Sequence, residues 1–189
     1  MADNLDKLKV LNQEEVNILY EMFSHLVTTL NKYAIRYACS GGTLLGAIRH
    51  GGLISWDDDV DITIEKEDIP LLLHLKTIFE GLDYELVKVG KYMKLKKDNL
   101  FIDIFIIEKG VYPQQQYQKY NFEEDEYKPY GKAMFGSIEV SIPHKSIEYL
   151  NRTFPNWEDE AFIYNHRIKG KQKISLTKEM REPYLPTEE

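Results

Sequence analysis

The stretch "SGGTLLGAIRHGGLISWDDDVDI" (Ser40–Ile62) sets two glycines near one end and four acids within five positions near the other. In a strand, residues i and i+2 project to the same side. Asp59 and Asp61 therefore share one face of the segment, while Val60, Ile62 and Ile64 take the other and point to a core. Two ionised carboxylates this close repel and raise each other's pKa, so a folded protein keeps the pair when a positive charge sits between them. Hard oxygen donors with no His or Cys beside them suit Mg²⁺ or Mn²⁺.

A third carboxylate, Asp103, lies in "FIDIFII" (101–107), flanked by apolar residues on both sides. A charge inside a hydrophobic strand is expensive unless it is paired or bound to metal. If the two strands are neighbours, Asp59, Asp61 and Asp103 form one metal site. At the other end, Ser40-Gly41-Gly42 follows a short predicted strand, "IRYAC" (35–39), and opens a predicted short helix, "TLLGAIRH" (43–50), closed by Gly51 and Gly52. Glycine lets backbone approach a ligand closely, and helix N-termini offer free N–H donors to anions. The expected arrangement is a phosphate cradle beside a metal site. It is not a Walker A loop: Gly41 and Gly46 have that spacing, but Ala47 and Ile48 stand where Lys and Ser/Thr belong.

The rest of the chain frames this centre. Its 189 residues suffice for one domain, read as 1–189 without an internal repeat or low-complexity linker. Net charge is −7 with no Lys/Arg-rich block, which argues against a nucleic-acid partner. A single cysteine, Cys39, rules out an internal disulfide. The N-terminal segment has no continuous apolar run and no stretch is long enough to span a membrane, so a cytoplasmic protein is expected.

Asn12 and Glu15 form a capping-box pattern ahead of Val16, Leu19, Phe23, Leu26 and Leu30, which predicts an amphipathic helix over about 12–34. Asp68 and Pro70 start a second predicted helix that Gly81 stops. Residues 84–89, 92–97 and 100–107 are predicted strands, completing a catalytic core over about 35–108. Lys94 and Lys96, on the strand facing "FIDIF", alternate with Met93 and Leu95; a solvated strand face is the first expectation and contact with donor phosphate the alternative. Residues 110–130 are expected to form a long loop whose tyrosines suit stacking on sugars. A strand over 137–142 and a helix over 144–154 follow, within a C-terminal part (109–189) expected to be helical.

Together these features resemble the nucleotidyltransferase fold of the DNA polymerase β type. Within it, Gly42-Thr43-Leu44-Leu45-Gly46, Arg49, Gly51 and Trp56-Asp57-Asp58-Asp59-Val60-Asp61 resemble the LicD/fukutin family, with Ser55 where the family usually has Pro. The "IDIF" around Asp103 matches its third carboxylate segment, and residues 142–157 resemble a softer downstream segment. The resemblance implies an α+β fold with a mixed central sheet flanked by helices. It implies transfer of a phosphoalcohol, such as phosphocholine or phosphoribitol, from a CDP-linked donor to a glycan hydroxyl, releasing CMP. Asp59 and Asp61 would then hold a divalent metal, and Asp103 would complete the site or act as base. Ser40, Gly41, Gly42 and Thr43 would hold phosphate. Arg49 would either neutralise the leaving CMP or settle a helix C-terminus. Asp58, Trp56 and His166 are expected beside the site, the first two mainly in support and His166 as a substrate contact. The alternatives are nucleotidyl transfer from an NTP and a catalytically inactive nucleotide- or glycan-binding module.

Overall fold

The computed structural model describes residues 7–165 and 170–187. Helix α1 (Gln13–Lys32) begins at the expected capping box: Asn12 Oδ1 accepts the Glu15 N–H at 3.0 Å, and the Asn12 N–H donates to the Glu15 carboxylate at 2.7 Å. Its apolar stripe, Val16, Leu19, Phe23, Leu26 and Leu30, is buried, and the helix packs across the strand that carries Asp103. The chain then reverses through Ala34, at φ 53°, into β1 (Tyr37–Cys39).

Helix α2 (Gly41–Leu45) follows directly and continues as a wider turn over Gly46–His50, which Gly51 ends in the left-handed conformation. Next come β2 (Val60–Glu65), two short helices, α3 (Ile69–His74) and α4 (Lys76–Glu80), and three strands: β3 (Glu85–Val89), β4 (Tyr92–Lys97) and β5 (Leu100–Ile107). The expected single helix after Asp68 is divided at Leu75, whose ψ of 2° turns Leu72, Leu75 and Phe79 all into the core. Among the described residues, five strands form the central sheet in the order β1-β2-β5-β4-β3. β2 and β5 run parallel and the other neighbours antiparallel, so the sheet is mixed. Ile62, Ile64, Ile102, Ile104 and Leu95 are fully buried on its apolar side. Each such side chain contributes roughly 1.5–3 kcal/mol.

The segment after β5 differs from expectation in two ways. Residues 110–130 are not an open loop: they hold α5 (Glu124–Tyr127), and Phe122 stacks on Tyr127 and Tyr149 at centroid distances of 4.6 and 4.5 Å. Of their six aromatic rings, Tyr112, Phe122 and Tyr127 are buried in the core, and Tyr117, Tyr120 and Tyr130 pack against it. The C-terminal part is also only partly helical. It contains the hairpin β6 (Gly131–Phe135) and β7 (Ile138–Ile142), helix α6 (Ser146–Thr153), and a second hairpin of β8 (Glu160–Asn165) with β9 (Gly170–Ser175). The second hairpin forms because Ala161, Ile163 and Ile174 share a face that packs on Ile54 and Trp56.

Candidate active site

Strand register assembles the acids. Asp61 on β2 lies directly beside Asp103 on the parallel β5, on the sheet face opposite the isoleucines. Asp59 precedes β2 by one residue, and the chain from Asp57 to Asp59 curls over the start of α2. One oxygen each of Asp59, Asp61 and Asp103 falls in a group within 4.8 Å, and one each of Asp57, Asp58 and Asp59 in a second. The three expected ligands are thus together, and Asp58 stands beside them.

The glycines explain how the acids approach so closely. A Cβ on Gly41, whose φ is 52°, would lie 2.6 Å from Asp61 Oδ2, and one on Gly42 would lie 2.1 Å from Asp57 Oδ2. Gly41 and Gly42 therefore border the acidic cluster. The hydroxyl residues of the expected cradle lie against the same strand. Ser40 is 2% exposed beside the Tyr112 phenol, and the buried Thr43 Oγ1 accepts the backbone N–H of Asp61 at 2.7 Å. Thr43 and the Ser40 N–H, which donates to the Asp61 carbonyl at 3.0 Å, thus fix the backbone of Asp61, while Ser40 Oγ is buried without a hydrogen-bond partner among the described residues.

Burial first, and then mutual repulsion, pushes these carboxylates upward. Asp57 rises to about 7, with Asp58 adding to the effect of burial. Asp59 rises to about 8, with the charges of Asp57, Asp58 and Asp103 following burial as causes. Asp61 is driven well above the carboxylate range by burial and then by the charges of Asp59, Asp57 and Asp103. Asp103 is raised by burial, while Lys94 pulls it back. Lys94 Nζ lies 2.8 Å from Asp103 Oδ1, but the contact lacks hydrogen-bond alignment, so this buried oxygen keeps an unused acceptor site. An all-carboxylate donor set that resists ionisation, with an orphan oxygen in its midst, fits a hard divalent cation.

Beside the acids is a cavity of about 430 Å³, bordered by Gly42, Arg49, Trp56, Asp57, Tyr120 and Trp157 among others. Arg49 borders it, and its Nη1 donates to the carbonyls of Trp157 and Glu160, tying the C-terminal hairpin to the turn after α2. Burial, followed by the charge of Arg181, lowers its pKa to about 10. Trp56 is 9% exposed, packs edge-on to His50 at 5.9 Å and supports the cavity wall. His166 lies outside the described residues.

Two further residues belong to the centre: Asp57, which the sequence left without a role, and Lys94, for which contact with phosphate was only the alternative reading. Asp57 extends the i, i+2 alternation of Asp59 and Asp61 backwards, a signal present in the sequence. Lys94 is no solvated side chain: it is 18% exposed, and its partner Asp103 sits directly across from it on the neighbouring strand.

A mixed sheet with Asp-x-Asp at the head of one strand, a third Asp on the parallel neighbour and a Gly-Gly turn against them defines a nucleotidyltransferase-fold domain. Residues 34–145 match the family described as LicD/FKTN/FKRP, nucleotidyltransferase domain, and the chain belongs to that family. It is 36% identical to the uncharacterised protein RP689 of Rickettsia prowazekii, over 98% of this chain and 76% of that protein. It is 35% identical over 60 residues to lipopolysaccharide cholinephosphotransferase LicD of Haemophilus influenzae, and 47% identical over 51 residues to ribitol 5-phosphate transferase FKRP of Homo sapiens. Those matches cover 32% and 27% of this chain, but only 23% and 10% of the two transferases. The family is one of transferases, and the relatives' names point to phosphoalcohol transfer in general. Among the described residues, no helix is long and apolar enough to cross a membrane.

Proposed function

We propose that this protein transfers a phosphoalcohol from a CDP-linked donor to a hydroxyl of a glycan, releasing CMP. The observation that carries the proposal is the convergence of Asp59, Asp61 and Asp103 on one point, next to Asp57 and Asp58, which border a cavity of small-molecule size. The names of the LicD and FKRP relatives support the phosphoalcohol; phosphocholine and phosphoribitol are the first donors to test.

Asp59, Asp61 and Asp103 would hold Mg²⁺ or Mn²⁺, with Asp57 and Asp58 adding negative charge around it. The ion would neutralise charge on the donor diphosphate during an in-line displacement. The chain's own work is positioning. Gly41 and Gly42 keep Asp61 and Asp57 close to the start of α2, and Thr43 fixes the backbone of Asp61. The cavity accepts the organic part of the donor between the Trp56 and Tyr120 sides. The glycan hydroxyl attacks the phosphorus bearing the alcohol, the P–O bond to CMP breaks, and a carboxylate of the cluster takes the hydroxyl proton. Alignment of nucleophile and leaving group supplies much of the acceleration in such a reaction.

The test is product analysis with CDP-choline, CDP-ribitol and CDP-glycerol, with Mg²⁺ or Mn²⁺ and a panel of glycan acceptors. CMP formation together with a glycan gaining the phosphoalcohol supports the proposal. Pyrophosphate release from an NTP in place of CMP would overturn it in favour of nucleotidyl transfer.

A further inference from the structure

The polar face of the central sheet carries a row of three charges that sequence spacing alone does not reveal. Asp61 on β2, Asp103 on β5 and Lys94 on β4 are direct lateral neighbours by strand register. Adjacent strands are about 4.8 Å apart, so Lys94 lies one strand beyond Asp103 from Asp61, within reach of a ligand lying over the row. Its ammonium is held there. Nζ is 2.8 Å from Asp103 Oδ1 and 3.4 Å from the Phe101 ring centroid, with Tyr92 at 5.6 Å on another side. Its charge also acts on Asp59 and Asp61. A lysine serving only solubility would extend into water. This one is packed against aromatic rings with its charge at the edge of five carboxylates.

We propose that Lys94 is the resident countercharge of the acidic centre and binds an oxygen of the donor diphosphate when a divalent cation takes Asp103. The inference rests on the reading of the acids as a metal and donor-phosphate site. With no cation bound, the ammonium partly compensates Asp103. Once a divalent ion draws the Asp103 oxygens, the ammonium loses part of that partner, and a phosphate oxygen over the row replaces it. Lysine suits this exchange, being a compact point charge on a flexible stem.

Two affinities test it, both measured by isothermal titration on the full chain. Lys94→Met keeps the length and the packing on Phe101 while removing the charge, and Lys94→Gln serves if the Met variant does not fold. The neutral variant is expected to bind Mn²⁺, added alone, about tenfold more tightly, because a like charge a few ångströms away is gone. At saturating Mn²⁺ it is expected to bind CDP about tenfold more weakly, because a charge-assisted phosphate contact is lost. Lys94→Arg should keep Mn²⁺ affinity within about twofold of wild type. A neutral variant that folds and changes either affinity by less than twofold overturns the proposal. The Mn²⁺ measurement needs no donor, so it separates the two failures. Wild-type protein that takes up no Mn²⁺ sinks the metal-site reading itself, whereas equal Mn²⁺ binding by wild type and variant sinks only the role of Lys94.

Discussion

Replacing Gly42 with alanine should separate stability from activity. The added Cβ would stand 2.1 Å from Asp57 Oδ2 and 3.1 Å from its Cγ. Ordinary van der Waals contact begins near 3.4 Å, so the carboxylate must retreat by about 1.3 Å. Asp57 borders the cavity and lies in the oxygen group that includes Asp59, so the retreat distorts the centre. A displacement of this size at a site that works by alignment costs roughly 10²-fold in rate. The backbone effect has the opposite sign. Gly42 is the second residue of α2, and alanine is favoured over glycine in a helix by about 1 kcal/mol. The clash offsets that gain, so the unfolding midpoint should stay within about 4 °C of wild type. Gly41→Ala differs: at φ 52° the left-handed conformation costs an alanine about 1–2 kcal/mol, so both stability and activity should fall. The assay is CMP release under donor saturation, paired with a thermal melt of each variant. A folded Gly42→Ala protein retaining more than a third of wild-type activity would refute the claim that glycine is there to admit Asp57.

Further outcomes follow from the same geometry. In metal-free protein, Asp57 and Asp59 have folded pKa values of about 7 and about 8, above the roughly 3.9 of an unfolded aspartate. The folded state then holds protons that the unfolded state has released, so stability should fall as pH rises from about 5 to 8. Calorimetry in EDTA checks this, and Asp59→Asn should flatten the slope. Arg49→Ala strands the carbonyls of Trp157 and Glu160 and should cost about 1–3 kcal/mol in urea titrations. Arg152→Ala leaves the buried Glu126 carboxylate without its ion-pair partner and should cost about 2 kcal/mol by the same method.

The legible parts of this protein are those governed by local rules. The Asn12–Glu15 box, the α1 stripe, the alternation over Val60–Ile64 and the strands around Asp103 all appear where their patterns place them. The trio of Asp59, Asp61 and Asp103 was also readable, since a strand's period of two and one buried acid suffice to suggest it. What escaped depends on pairing between distant segments. Lys94 could be read as a solvated strand-face lysine or as one that reaches phosphate, and it is the register of β4 against β5 that puts its ammonium on Asp103. Arg49 gives no local sign of its bonds to the carbonyls of Trp157 and Glu160, which arrive from more than a hundred residues away. The C-terminal hairpin was hidden because its apolar residues are few and acquire a partner only in the Ile54–Trp56 patch. The glycines were read as making room for phosphate; in the structure they first make room for the acids.

The most direct measurement is thermal unfolding of wild-type protein and Asp59→Asn with CDP-choline, CDP-ribitol, CDP-glycerol and the four NTPs, each with and without Mn²⁺. A ligand at one hundred times its dissociation constant stabilises by about 2.7 kcal/mol, a rise of roughly 5–10 °C for a chain of this size. The account predicts such a rise for one CDP-alcohol, dependent on Mn²⁺ and absent in Asp59→Asn. A rise with an NTP alone, or an equal rise in the Asp59→Asn protein, would contradict it.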